Sequence, residues 1–210
     1  MNYPQSFENA LSARVQVSEI EFLSALKPLA GVFETLRIRY YIVGSVASSA
    51  YGLPRSSLDI DLVADIKIHQ VAALEKALGA AYYIDPDQIV DAISRKSSFN
   101  LIHFETSLKL DIFIPQDRDF DRQALERRRL DSLEIDKPAE YYLSSPEDVI
   151  LAKFEWYRKG GRVLERQWND ILGVFKVQGE ALDMNYLRRW ALTLGLKDLL
   201  EEALTSVSSA

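Results

Sequence analysis

The chain has 210 residues, 48% of them hydrophobic and 27% charged, a composition that can bury a core as one large domain or two small ones. Its formal net charge of −6 argues against broad, sequence-independent binding to a long duplex, although a local patch could still hold a tRNA. Cysteine is absent, which removes disulfides, zinc–thiolate sites and thiol catalysis. No apolar run approaches a membrane span, and the opening MNYPQSFENA lacks a signal-peptide pattern, so a cytoplasmic protein is the expectation.

Residues 1–17 are polar and are expected at the surface. From Ser18, the apolar residues Phe22, Leu23, Leu26, Leu29, Val32, Phe33 and Leu36 recur at helical spacing, interrupted by Pro28 and Gly31. This predicts one or two amphipathic helices beneath a sheet. Tyr40 to Val43 is short, aromatic and β-branched and reads as a buried strand. At Gly44-Ser45 the backbone can turn sharply and approach a ligand, with Ser45 as N-cap of a small-residue helix over Val46 to Ala50. Backbone N–H groups at such a turn favour an anion, usually phosphate. GLPRSS follows as a loop and sets Arg55 just before the strand Leu58 to Val63. Strand alternation sends Asp59 and Asp61 to one side and Leu58, Ile60 and Leu62 to the core.

Ile68 to Leu78 predicts a crossover helix ending at Gly79, Ala81 to Ile84 a short strand, and Asp87 to Arg95 a helix. Phe99 to Phe104 alternates and turns at Thr106-Ser107 into the strand Leu108 to Ile114, which carries Asp111. His69 reads as solvated. His103, on the neighbouring strand, reads as a hydrogen-bonded or exposed strand histidine outside the site. Asp117 to Arg129 keeps weak helical spacing and ends in Arg127-Arg128-Arg129, either a solvated helix end or an anchor for polyphosphate or RNA. Leu130 to Ile135 alternates like a final edge strand.

Composition shifts near Pro138, and from Ser145 the chain looks all-helical. Ser145 caps a helix with Pro146 at its first position and acids in its first turn. Lys153 falls inside that helix's apolar stripe and needs a partner or must snorkel. Gly160-Gly161 breaks the helix, Arg162 to Gln178 forms the next with Asp170 at the edge of its stripe, Asp183 caps another through Leu194, and Leu196 to Leu204 is the last before a frayed TSVSSA tail. The expected fold class is α+β, with a mixed sheet and flanking helices over 1–137, a helical lobe over 138–210, and a ligand cleft between them.

Two carboxylates on one strand face repel unless they are solvated or share a cation, and Mg²⁺ uses one or two carboxylates together with substrate phosphates. GS followed by DID at this spacing, with a further Asp inside a later apolar strand, resembles the nucleotidyltransferase superfamily of polymerase-β-like fold. Gly44, Ser45, Asp59 and Asp61 match its motif and Asp111 its third acid. The resemblance implies transfer of a nucleoside monophosphate from a nucleoside triphosphate to a hydroxyl of RNA, protein or a small molecule. Asp59, Asp61 and Asp111 would hold Mg²⁺ or Mn²⁺, and Gly44 and Ser45 would cradle the β- and γ-phosphates. Arg55 and Lys153 would approach the phosphates, and Asp170 would assist catalysis or hold Lys153. The chain also looks similar to toxin-like members of type IV toxin–antitoxin systems, which implies a cognate antitoxin. It departs from their lysine motif, since Trp156 stands where an arginine is usual and Arg158 lies further along. A non-catalytic nucleotide- or partner-binding module is the alternative. A hydrolytic phosphodiesterase would want a histidine-rich metal site, and the chain has 2 histidines.

Overall fold

The computed structural model describes residues 21–55, 59–133 and 140–209. The readings for residues 1–17, for Leu58, for the end of the edge strand at Ile135 and for the lobe boundary at 137/138 lie outside them. In chain order the elements are α1 (21–35), β1 (Tyr40–Ile42), α2 (Gly44–Tyr51), β2 (Asp59–Ala64), α3 (Val71–Leu78), β3 (Tyr82–Tyr83), α4 (Pro86–Arg95), β4 (Ser98–His103), β5 (Lys109–Phe113), α5 (Asp119–Arg127), β6 (Arg129–Ser132), β7 (Glu140–Leu143), α6 (Pro146–Lys159), α7 (Glu165–Gln178), α8 (Met184–Thr193) and α9 (Lys197–Ser208).

Among the described residues the strands form one mixed sheet in the order β3-β4-β5-β2-β1-β7-β6. The β2–β5 and β1–β7 pairs are parallel and the other pairs antiparallel. One face is apolar and fully buried through Ile60, Leu62, Leu101, Leu110 and Ile112. Helix α1 closes that face: the Tyr82 hydroxyl donates to the Ala25 carbonyl at 2.6 Å, and Phe33 packs on the Tyr40 ring at 5.4 Å. α1 runs unbroken past Pro28, because Ala25, Leu26, Leu29 and Phe33 all bury on one side while Pro28 and Gly31 face out. Burial of that stripe outweighs one missing backbone donor.

Three elements differ from the sequence reading. Helix α2 starts at Gly44 with Val43 at its N-cap and no side-chain cap bond, so Ser45 is a first-turn residue rather than the cap. Strand β7 was read as part of the helical half; its Tyr141 and Leu143 are buried, and Ile42 pairs with Leu143 in the parallel ladder. Helix α9 continues through Ser208, and Thr205, Ser206 and Ser208 bond their hydroxyls to carbonyls four residues back.

β7 leads directly into α6, whose start matches expectation: Ser145 accepts from the Asp148 N–H at 3.2 Å and Pro146 takes the first position. This connection carries α6 across the second sheet face. Helix α7 packs on α6 and on α2. The α2 end and α7 approach at backbone distance, since a Cβ on Gly52 would lie 2.8 Å from the Val174 nitrogen.

Candidate active site

The second sheet face carries the acids. In the parallel β2–β5 ladder, Asp61 is directly opposite Asp111, and Asp59 is opposite Lys109. Side chains two apart on a strand share a face, so all three carboxylates stand on one side, away from the buried core. Lys109 donates to Asp111 Oδ2 at 2.8 Å. Burial raises the Asp61 carboxyl above its ordinary range, and the negative charges of Asp111 and Asp59 push it further up. Lys153 and Lys109 oppose them. The three acids therefore act on one another electrostatically.

Gly44 sits against this cluster. Its φ is +64°, and a Cβ there would stand 2.0 Å from Asp61 Oδ2. The Val43 N–H also donates to the Asp61 carbonyl at 2.9 Å. Glycine is thus required both by the left-handed backbone and by the carboxylate filling its side-chain space. Gly44→Ala is expected to displace Asp61 and cost about 1–3 kcal/mol of stability, read by chemical denaturation.

Two helices and a loop supply the cationic side. The Lys153 ammonium, 5% exposed, donates to Asp170 Oδ2 at 2.8 Å and Gln167 Oε1 at 3.0 Å. Arg55 clamps the same carboxylate from the loop after α2, with Nε to Oδ1 at 2.9 Å and Nη2 to Oδ2 at 3.0 Å. The Asp170 side chain is 7% exposed and adjoins the buried Ile171 on α7. Its burial alone would raise its pKa, but the hydrogen bonds from Arg55 and Lys153 outweigh that and hold it below the ordinary value. Lys153 moves the other way from its usual partner effect. Burial lowers its pKa, and the Arg55 charge adds to the lowering, while Asp170 and Asp61 only partly compensate. Burial sets the direction at Lys153, and the two cationic hydrogen bonds set it at Asp170. The site holds surplus positive charge beside the acids.

A cleft of about 540 Å³ opens between this sheet face and α6, with Gly44, Ser45, Asp61, Arg55, Lys153 and Gln167 among its lining. Of the residues singled out from sequence, Gly44, Ser45, Arg55, Asp61 and Lys153 line it directly. Asp59 and Asp111 adjoin Asp61 on the sheet, and Asp170 holds Arg55 and Lys153 from behind.

No protein-family model and no curated protein matches the chain. Solved structures do. The solution structure of the antibiotic-resistance factor ANT(2″)-Ia aligns with a TM-score of 0.52 at 12% identity, covering 89% of this chain and 95% of that one. An antigenic nucleotidyltransferase-like protein from Paracoccidioides brasiliensis aligns at 0.52 with 18% identity, covering 88% and 92%. ANT(2″)-Ia in complex with adenylyl-2″-tobramycin aligns at 0.50 with 13% identity, covering 81% and 97%. The chain has the nucleotidyltransferase fold.

Within this nucleotidyltransferase fold the remaining charged residues mostly serve architecture. Arg127 donates to the buried Glu147 at 2.7 Å and lies 3.9 Å from the Tyr186 ring centroid. Arg128 covers the Tyr142 ring at 4.7 Å, and Arg129 reaches Glu147 at 3.9 Å. Arg127 and Arg128 therefore tie α5 to α6, α8 and β7, while Arg129 stays half-exposed at the surface. Asp148 is buried beneath it, accepting from Tyr186 at 2.6 Å and Ser145 at 2.7 Å. Burial raises its carboxyl, and those two bonds offset only part of the rise. Arg158 bonds the Gly195 carbonyl and Asp198 and ties α6 to α9. His103 is buried on the face opposite the acids, with Nδ1 2.9 Å from the Thr106 hydroxyl.

The sequence reading missed Gln167 and Lys109. Gln167 sits three residues before Asp170, one helical turn back toward the same lysine. Lys109 shares the face of Asp111 by strand alternation, so K-x-D in an apolar strand was the available signal.

Proposed function

We propose that the chain is a metal-dependent nucleotidyltransferase that moves a nucleoside monophosphate from a nucleoside triphosphate to a hydroxyl of a small molecule. The observation that carries this reading is the pairing of Asp61 with Asp111 across the parallel β2–β5 ladder, with Asp59 on the same face and Gly44 packed against Asp61. Among the described residues no three histidine, cysteine, aspartate or glutamate side chains close into a ready-made metal cage. A cation bound by Asp59, Asp61 and Asp111 would therefore need water and substrate phosphate oxygens to complete its shell. The donors are all carboxylate oxygens, and their mutual repulsion, felt at Asp61, is what a divalent cation would relieve. Mg²⁺ or Mn²⁺ held by Asp59, Asp61 and Asp111 would supply charge neutralisation at the attacking and leaving oxygens.

The chain's own groups do the rest. The α2 N-terminus at Gly44-Ser45 offers backbone N–H groups to the β- and γ-phosphates. Asp111, with one oxygen held by Lys109, takes the proton of the acceptor hydroxyl. The acceptor oxygen bonds to the α-phosphorus as the bond between the α-phosphorus and the α,β-bridging oxygen breaks, and pyrophosphate leaves. Lys153 and Arg55 stabilise the charge on the departing pyrophosphate. Gln167 and Asp170 fix the ammonium in place.

Two observations favour a small acceptor. ANT(2″)-Ia, which shares the fold, was solved with adenylyl-2″-tobramycin. Two of the three arginines that offered an RNA anchor, Arg127 and Arg128, are engaged by Glu147 and the Tyr142 ring. The test pairs pyrophosphate release with mass spectrometry of acceptors, using each of the four nucleoside triphosphates with and without Mg²⁺. Mg²⁺-dependent, acceptor-dependent release with an added nucleotide mass is expected. Tight nucleotide binding with no product on any acceptor would favour a non-catalytic module instead.

The lowered Lys153 pKa gives this reading a pH signature. Triphosphate binding should weaken as pH rises through a value below the ordinary lysine 10.5, because the neutral amine no longer attracts the phosphates. Lys153→Arg should move that limb to higher pH in calorimetric titrations.

A further inference from the structure

The rest of the cleft has a chemistry of its own. Phe113 lies two residues beyond Asp111 on β5 and on the same face, so it is one strand repeat, roughly 7 Å, from the group assigned to the acceptor hydroxyl. Trp156 lies three residues beyond Lys153 on α6. Their rings meet edge to face with centroids 6.2 Å apart, and both line the cleft. Trp156 nevertheless keeps 52% of its surface exposed. A half-exposed indole braced by a second ring is a flat apolar platform beside reacting groups.

The charges around the platform restrict what can rest on it. Glu155 and Asp121 line this part of the cleft, and one guanidinium occupies both. Arg118 donates to Glu155 at 2.7 and 3.1 Å and to Asp121 at 2.6 and 3.2 Å. Lys159 holds its ammonium 5.2 Å from the Trp156 ring centroid. Arg118 and Lys159 together balance these two carboxylates, so a polycation arriving here finds no surplus negative charge and an ammonium already at the indole. An uncharged or anionic molecule meets no such repulsion.

We propose that Phe113 and Trp156 form the acceptor platform, and that the acceptor is a hydroxyl compound with a flat apolar ring, uncharged or anionic rather than polycationic. This rests on the transfer reading above. It differs from tobramycin, the moiety found adenylylated on ANT(2″)-Ia. Specificity on this platform comes from ring stacking and from the balance of Glu155 and Asp121 by Arg118 and Lys159, which leaves no surplus negative charge to attract a polycation.

The test is a binding measurement that needs no turnover. Tryptophan fluorescence of the full chain is followed during titration with phenyl β-glucoside, phenyl β-glucuronide and tobramycin. The two aryl sugars should quench the signal and bind at least tenfold more tightly than tobramycin. Trp156→Phe should remove most of the quenching while binding, followed by saturation-transfer NMR, persists. Trp156→Ala and Phe113→Ala should each weaken aryl sugar binding about tenfold with unchanged affinity for a nonhydrolysable triphosphate with Mg²⁺, and Trp156→Ala, at a half-exposed site, should leave the melting temperature unchanged. Tighter binding of tobramycin, alanine variants that bind the aryl sugars normally, or a loss confined to the nucleotide would each overturn the proposal. If the aryl sugars bind through Trp156 but accept no nucleotide, the platform stands and the transfer reading falls. If transfer occurs but its acceptor KM is indifferent to Trp156→Ala, the reverse holds.

Discussion

Asp61→Asn is expected to lower nucleotide transfer on the order of 10³-fold while the melting temperature holds or rises slightly. The two halves of this result share one cause. Asp61 is the acid that borders both Gly44 and Asp111, so its charge is central to any cation held on this face. The same charge is unfavourable to the fold. Its carboxyl is raised by burial and then by Asp111 and Asp59. A raised folded pKa means that the stability linked to this group is fully present below the unfolded value near 3.8 and declines as pH rises through the folded value. At neutral pH the ionised side chain therefore costs stability. Asparagine keeps the shape and removes the cost. Steady-state rates and thermal melts on the same preparation check both halves. A variant that transfers normally, or one that simply unfolds, contradicts this assignment.

Asp170→Ala is expected to destabilise the protein by about 3–5 kcal/mol, because it strands a buried ammonium. Lys153 and Asp170 are 5% and 7% exposed, and their 2.8 Å contact is the only ion pair shown for that lysine among the described residues. Gln167 would remain as a neutral acceptor at 3.0 Å and cannot replace the charge. Adding Lys153→Met should recover most of the loss, since the pair is then replaced by apolar volume rather than broken. Denaturant melts of both single variants and the double variant close the cycle. The pH dependence has a definite sign. The folded pKa of Asp170 is depressed, so its contribution is present above the unfolded value and is lost as pH falls through the folded one. Neither the single nor the double variant should transfer nucleotide, whatever its stability. Recovery of stability without recovery of activity would separate the structural role of the pair from its chemical one.

Much of this site was legible because strands and helices have short periods. DID within an apolar strand fixes two carboxylates on one face, and a third aspartate in a similar run can share that face. A lysine inside an apolar helical stripe demands a partner, but the choice of Asp170 rests on the family resemblance and not on the stripe. The register that brings Asp111 beside Asp61 was not readable, because parallel pairing across a crossover depends on long-range packing rather than on a turn. Arg55 as the second clamp on Asp170 was equally hidden, since the two lie 115 residues apart and meet only when α7 packs on α2. β7 was missed because four residues after a proline carry too little alternation to distinguish a strand from a linker. Arg127 to Arg129 looked like an external patch because charge alone does not reveal the buried Glu147 that receives two of them.

The most direct measurement is a crystal grown with Mn²⁺ and a nonhydrolysable nucleoside triphosphate, read by anomalous scattering. The expected map places manganese between Asp59, Asp61 and Asp111, the β- and γ-phosphates against Gly44 and Ser45, and the Lys153 ammonium on a phosphate oxygen. A triphosphate bound elsewhere, or one bound in the cleft with no metal on these three acids, would contradict it.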